Sequence, residues 1–363
     1  MIRFFIIFIA IFTSLIARAS NEPKTLNMYN WSNYIPPEVI KEFEQDTGIN
    51  VLYDVYDSDQ ILDAKLMSGK TEYDIVVPAD TPFLAREIKL GIYQPIDKAA
   101  IKNYSYVDPK ILKQLTIDDP NNTYSIPWMM NSVGIGYNES KIKEIMPDAP
   151  VNSLSIIFDP IYAEKFSKCG IGLLNASTEM ISAALVYLKL DPNSSNLEDL
   201  NKAKEALLKI RPYIREIDAS SYTSNLANGD LCIVMGYSGD ILQAIRQANE
   251  FDSKNNIKYI TPKEGFMIAF DMLAIPKHAK HPNNASKFID FLLKPEITAK
   301  VSNYTGFPST IKESYKFLDD EIKNNKYIYL NSQLLKKSYR SVFQNAEFVR
   351  KRNRVWTNFV SSY

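Results

Sequence analysis

Histidine is nearly missing from this chain. Only His278 and His281 occur, both in the polar stretch 276–282, with no serine or cysteine elbow beside them. A nucleophilic triad therefore lacks its base. As a metal pair the two histidines lack a third ligand nearby in sequence, so no metal site is expected and a solvated loop is the simpler reading. There is no P-loop, no G-x-G-x-x-G and no metal motif, hence no sign of bond-making chemistry and no expected cofactor. Charge of one sign is also missing. With Arg3 and Arg18 removed with a leader, 40 basic residues face 42 acidic ones, which leaves no basic excess for nucleic acid or anionic lipid.

Cysteine is scarce too, with only Cys169 and Cys232. Export favours a bridge between them, and two buried free thiols are the alternative. A bridge would close a loop of roughly 60 residues, worth about 4 kcal/mol in the chain-entropy model. Long apolar runs are confined to the N-terminus. Arg3, the stretch 4–16 and Ala17-Arg18-Ala19 read as the n-region, h-region and A-x-A site of an export signal covering 1–19, cleaved after Ala19. No cysteine follows to carry a lipid anchor. The remaining chain of about 344 residues exceeds what one core usually supports, so two lobes are expected.

What is present is an alternation of short apolar strands and amphipathic helices, the pattern of an α/β fold. The organising stretch is Tyr29-Asn30-Trp31-Ser32-Asn33-Tyr34-Ile35-Pro36-Pro37. A strand precedes it, and paired prolines open a helix with Val39, Ile40 and Phe43 on one face. Ligands of open α/β sheets collect at such strand-end turns. The competing reading is that Trp31 and Tyr34 are ordinary core aromatics. A second unit runs from the strand 50–56 through a helix capped by Asp57 or Ser58 and carrying Ile61, Leu62, Leu66 and Met67. The apolar strand 73–78 then ends in the polar turn Ala79-Asp80-Thr81-Pro82.

The stretch 124–138 reads as extended, a crossing between lobes. A helix follows Glu179, another covers 200–210, and the strand 231–236 leads into Tyr237-Ser238-Gly239-Asp240 and a helix from Ile241. Within the apolar run 266–276 lies a lone Asp271, unfavourable there without a positive partner. An outward-facing edge position, or pairing with an internal Lys or Arg, would make it ordinary. Together the strand ends offer Trp31, Ser32 and Tyr34, then Asp80, then Tyr237 and Asp240, then Phe270 and Asp271, with Glu179 at a helix start. Carboxylates among aromatic rings suit a small organic cation. A secreted α/β hydrolase using a carboxylate pair is the rival from another class.

Spread in order along the chain, Tyr29-Asn30-Trp31-Ser32-Asn33-Tyr34-Ile35, Tyr73-Asp74-Ile75-Val76-Val77-Pro78 and Gly134-Ile135-Gly136-Tyr137-Asn138 are the first segments of a resemblance. Leu226-Ala227-Asn228-Gly229-Asp230-Leu231-Cys232, Gly239-Asp240, Pro262-Lys263-Glu264-Gly265 and Phe270-Asp271 are the later ones. The chain resembles the periplasmic polyamine-binding proteins of bacterial ABC transporters, nearest the putrescine-binding branch. That resemblance implies a two-lobe, type II-like periplasmic binding fold that closes on ligand about a hinge. It places the first lobe at 20–130 with 272–310 and the second at 131–271 with 311–363. Cys169 and Cys232 fall where putrescine binders carry a disulfide. The implied partners are a polyamine and an inner-membrane ABC permease, and the implied state is a periplasmic monomer.

The family's ligand positions carry over to Trp31, Ser32, Tyr34, Glu179, Asp240 and Asp271, the last two at opposite ends of a diamine. Asn33 stands where putrescine binders usually have Asp, Tyr237 replaces a Trp, and Phe307 replaces a Tyr. Ala269 stands where a ring covers the ligand, and Ala79 stands for a Ser. The turn at 79–82 is one residue longer, which leaves Asp80 to restore the charge lost at Asn33. Spermidine binders carry an extra acid in the segment matching Asn175-Ala176; its lack here favours a diamine such as putrescine over spermidine, with cadaverine and agmatine as alternatives.

Overall fold

The computed structural model describes residues 22–69, 71–250 and 255–362. The export-signal reading of 1–19 lies outside them. No described helix is long and apolar enough to cross a membrane.

The first strand, β1 (Thr25–Trp31), buries Leu26 and Met28 and runs parallel to β2 (Asn50–Tyr56). The helix Pro37–Thr47 joins them, with Val39 and Phe43 buried. It ends at Gly48, whose φ of 67° is the left-handed conformation glycine adopts without penalty. The second unit departs from expectation in detail. The helix Asp59–Met67 buries only Leu62 and Leu66, while Ile61 and Met67 face solvent. Ser58 holds the N-cap position without a side-chain cap bond. The strand expected over 73–78 shrinks to β3 (Ile75–Val76), because Asp74 turns to bond the backbone N–H of Asn27 and both N–H and Nδ1 of His281. The 276–282 stretch is accordingly not a freely solvated loop: His281 is buried against a fully buried Asp74.

The extended stretch becomes one long strand, β4 (Ser125–Asn138). The later strands are β5 (Ile171–Leu174), β6 (Glu216–Asp218), β7 (Ile233–Tyr237), β8 (Ile257–Ile260), β9 (Phe266–Ala274) and β10 (Ser338–Tyr339). The strand order is β2-β1-β3-β9-β4-β7-β5-β6, with β10 against β9 and β8 against β4. The N-terminal part of β4, Ser125 to Ser132, is antiparallel to β9. From Val133 onward it pairs instead with β7 and β8. One strand thus belongs to two half-sheets and changes partners at Ser132/Val133.

Each half-sheet has its own packing. Leu26, Phe43, Trp128, Leu273 and Phe288 share one core. Ile135, Leu173, Val234, Leu207 and, from the C-terminal helix Ala346–Ser361, Trp356 and Phe359 share another. The Cys169–Cys232 disulfide is formed, with Cα atoms 5.5 Å apart, and ties the start of β5 to the start of β7. The helices expected over 200–210 and from Ile241 are longer, Leu197–Ile210 and Ser238–Glu250. The latter takes in Asp240 as a first-turn residue.

Candidate ligand cleft between the half-sheets

A cavity of about 510 Å³ opens between the two halves, with β4 and β9 crossing its floor. The turn after β1 supplies Trp31, Ser32, Asn33 and Tyr34. The Ser32 N–H donating to Tyr56 O at 3.1 Å holds this turn against the end of β2. Asn33 adopts φ of 54°, a left-handed conformation that Asn tolerates better than most residues. From the other half come Glu179, at the start of the helix Ser177–Tyr187, then Tyr237 and Asp240. Phe307 closes the wall, its ring centroid 5.7 Å from that of Tyr34. Gly239 is needed here: a Cβ would lie 2.6 Å from the Phe307 ring and 2.7 Å from Thr305 O.

β9 decides the fate of the apolar-run residues. Side chains alternate across a strand, so Met267, Ala269 and Asp271 face the cavity, whereas Phe266, Ile268 and Phe270 pack behind it. Asp271 lies on a central strand between β3 and β4, only 3% exposed. It forms no ion pair among the described residues, so neither ordinary reading of it holds. The Tyr34 hydroxyl donates to its Oδ2, and Asn131 of β4 adds a second hydrogen bond. Burial pushes the Asp271 carboxyl up to about 7. Burial likewise raises Asp240 to about 6, although the Tyr222 hydroxyl donates to it and opposes the shift. Glu179 is raised by burial and accepts from the Tyr237 hydroxyl at 3.1 Å.

Two expected positions are corrected. Phe270 is not a wall residue, because it points to the opposite face of β9 from Asp271. Asp80 does not restore the charge missing at Asn33. It is buried behind the cleft, where it accepts from the Phe270 N–H at 3.3 Å and pairs with Arg340, which also binds Asp118. The other expected wall residues, Trp31, Ser32, Asn33, Tyr34, Glu179, Tyr237, Asp240, Asp271 and Phe307, are brought together.

Sequence reading missed Asp59 and Asn131, which line the same cavity. Asp59 carries the signal used elsewhere, a carboxylate in the turn after a strand. Asn131 carries none, since only its place at the crossing of β4 and β9 exposes it to the cleft. Its Oδ1 is buried with no partner, as is Thr81 Oγ1 nearby, leaving acceptors for a donor-bearing ligand. Among the described residues, five carboxylates line the cavity (Asp57, Asp59, Glu179, Asp240 and Asp271) and no Lys, Arg or His does. Acids facing aromatic rings, with Asp271 buried and Asp59, Glu179 and Asp240 half-buried and none of them in an ion pair among the described residues, select a cation. No His/Cys/Asp/Glu group among the described residues has metal-holding geometry.

The model of the bacterial extracellular solute-binding proteins matches residues 38–328. The chain is 42% identical over 339 residues to the putrescine-binding periplasmic protein SpuD of Pseudomonas aeruginosa, covering 93% of this chain and 92% of that one. It is 39% identical over 342 residues to the putrescine-binding periplasmic protein PotF of Escherichia coli, covering 94% and 92%. Among solved structures, the spermidine/putrescine ABC transporter substrate-binding protein PotD from Streptococcus pneumoniae superposes with a TM-score of 0.78 at 26% identity, covering 93% and 99%.

Proposed function

The chain belongs to the bacterial extracellular solute-binding proteins, and from that premise we propose that it captures a diamine, putrescine or a near relative, and delivers it to an inner-membrane ABC permease. It binds and does not transform its ligand. The observation that carries this reading is the cleft wall, which among the described residues has five carboxylates, aromatic rings and no cationic side chain. Ammonium groups are strongly hydrated and enter a cleft only where carboxylates replace the lost water. Asp271 and Asp240, from β9 and from the helix after β7, take the two ends; Glu179 adds a third contact; Trp31, Tyr34, Tyr237 and Phe307 cover the methylenes. Contacts from both halves favour the closed form, which the permease then recognises.

The lobes divide as 20–130 with 272–310 and 131–271 with 311–363, except that β9 (Phe266–Ala274), paired with β3 and with Ser125 to Ser132 of β4, goes with the first lobe; the protein is exported to the periplasm with cleavage after Ala19, and it acts as a monomer. The packing of Leu318, Ile322, Phe348 and Trp356 with the second core supports assigning the C-terminal segment to that lobe. Ala269 leaves room on the wall, which supports a second reading in which a longer cation such as cadaverine, agmatine or spermidine is preferred. Calorimetry and thermal shift with putrescine, cadaverine, agmatine, spermidine and spermine, beside amino acids and sugars, test both. At a ligand concentration 100 times Kd the stabilisation is expected to be about 2.7 kcal/mol. A response to sugars or amino acids alone overturns the cationic reading.

A further inference from the structure

Asn33 leaves the first strand-end turn uncharged, and Asp80 is committed to Arg340. Two further carboxylates on this side of the cleft, Asp57 and Asp59, form no ion pair among the described residues; Asp57 is exposed, whereas Asp59 is half-buried. Asp59 opens the helix Asp59–Met67 directly after β2 and lines the cavity between Tyr56 and Ala79. A single hydrogen bond orients it, from the Ala79 N–H to its Oδ1 at 3.1 Å. It forms no ion pair among the described residues, and no cationic side chain lines the cavity around it.

Its electrostatic neighbours are acids. Burial raises the Asp59 carboxyl well above its ordinary range, and the charges of Asp271 and Glu179 push it the same way. The Tyr237 phenol, which donates to Glu179, also feels Asp59. Asp59 and Glu179 therefore face one region of the cleft from opposite halves of the molecule. Accepting one backbone N–H needs no charge; an Asn would serve. A carboxylate among carboxylates is repelled until a cation joins them.

Resting on the polyamine-binding reading, we propose that Asp59 is a ligand-contacting residue, supplying the first-lobe negative charge missing at position 33 and pairing with the ligand ammonium that faces Glu179. The cleft then holds a charge count suited to a diamine without help from Asp80. It also follows that the identity of residue 59, not the length of the 79–82 turn, compensates for Asn33.

The test uses the full exported chain and putrescine as probe, comparing wild type, D59N and N33D/D59N by calorimetry, with thermal midpoints of the ligand-free proteins. Asn at 59 keeps an acceptor for the Ala79 N–H and removes only the charge. D59N is expected to raise Kd by about tenfold or more, to leave the ligand-free midpoint unchanged or higher, and N33D/D59N is expected to recover part of the affinity. A D59N protein that binds putrescine within about twofold of a binding wild type overturns the inference while leaving the functional reading intact. A lowered ligand-free midpoint with no rescue by N33D makes Asp59 purely structural and overturns it as well. A wild type that ignores every polyamine removes both readings together.

Discussion

The hydroxyl of Tyr34 donates to Oδ2 of Asp271, two residues 237 positions apart in the chain. Burial and the neighbouring carboxylate push the Tyr34 phenol well above its ordinary range, so it remains a donor. The bond holds a buried acid in place without neutralising it. A ligand ammonium entering the cleft meets an oriented carboxylate rather than having to order one.

Asp271→Ala and Asp240→Ala should each weaken diamine binding by at least about 30-fold, since truncating one partner of a buried charge pair costs about 2–5 kcal/mol. Tyr34→Phe should cost less, about 1 kcal/mol for one lost hydrogen bond. Titration calorimetry on folded variants reads all three. If both Asp variants bind normally, the ligand site lies elsewhere.

Binding should depend on pH with a definite sign. In the empty protein Asp271 titrates at about 7 and Asp240 at about 6, both raised from 3.8. The folded state therefore holds more protons than the unfolded one from these values down to about 3.8, and the empty protein gains stability as pH falls from about 7 towards about 3.8. A cationic ligand needs the ionised carboxylates and opposes that protonation. Kd should rise by roughly tenfold or more from about pH 8 to about pH 5. A flat profile would show that neither acid meets the ligand's charge.

Arg340 pairs with Asp80 and Asp118 behind the cleft, with its side chain 11% exposed. It lies just after β10, which adds to β9 beside Phe266 and Met267. Arg340→Ala strands two buried acids and should destabilise the protein by about 3–5 kcal/mol. Chemical denaturation measures that loss. Putrescine affinity should change much less than in the Asp271 variant, because Asp80 is not part of the cavity wall.

Gly239→Ala should weaken binding by about tenfold or more, because its Cβ would meet the Phe307 ring and Thr305 O at distances side chains do not tolerate. The second half would be held away from the first. Small-angle scattering in saturating putrescine should show incomplete compaction, and wild-type compaction in this variant would refute the steric argument.

Reducing the Cys169–Cys232 bridge should lower stability by about 4 kcal/mol, the loop-closure estimate for a separation of 63 residues. Neither cysteine lines the cavity. Unfolding midpoints with and without reductant test the first point, and putrescine affinity of the reduced protein at low temperature tests the second.

Local chemistry fixed much of this molecule in advance. The proline pair, strand-end polar turns and short apolar runs placed β1, the helix after it, the extended stretch that forms β4 and the wall residues from Trp31 to Tyr34. Those features depend on neighbours a few residues away, which the chain writes out directly. The direction of a buried carboxylate does not. Asp59 and Asp80 follow strand ends and Asp271 lies within β9, yet Asp80 turns away because Arg340, 260 residues distant, meets it from behind. Asp59 stays in the cleft because only a backbone N–H engages it. Phe270 and Asp271 are adjacent in sequence and opposite in space through strand alternation, and only the packed neighbours on each face decided which side was the cleft. His281, read as part of a solvated loop, is buried because Asp74, 207 residues earlier, offers it two acceptors. A polar side chain's partner in a two-lobe fold is chosen by the crossing strands that bring remote segments together, and that choice exists only in the tertiary structure.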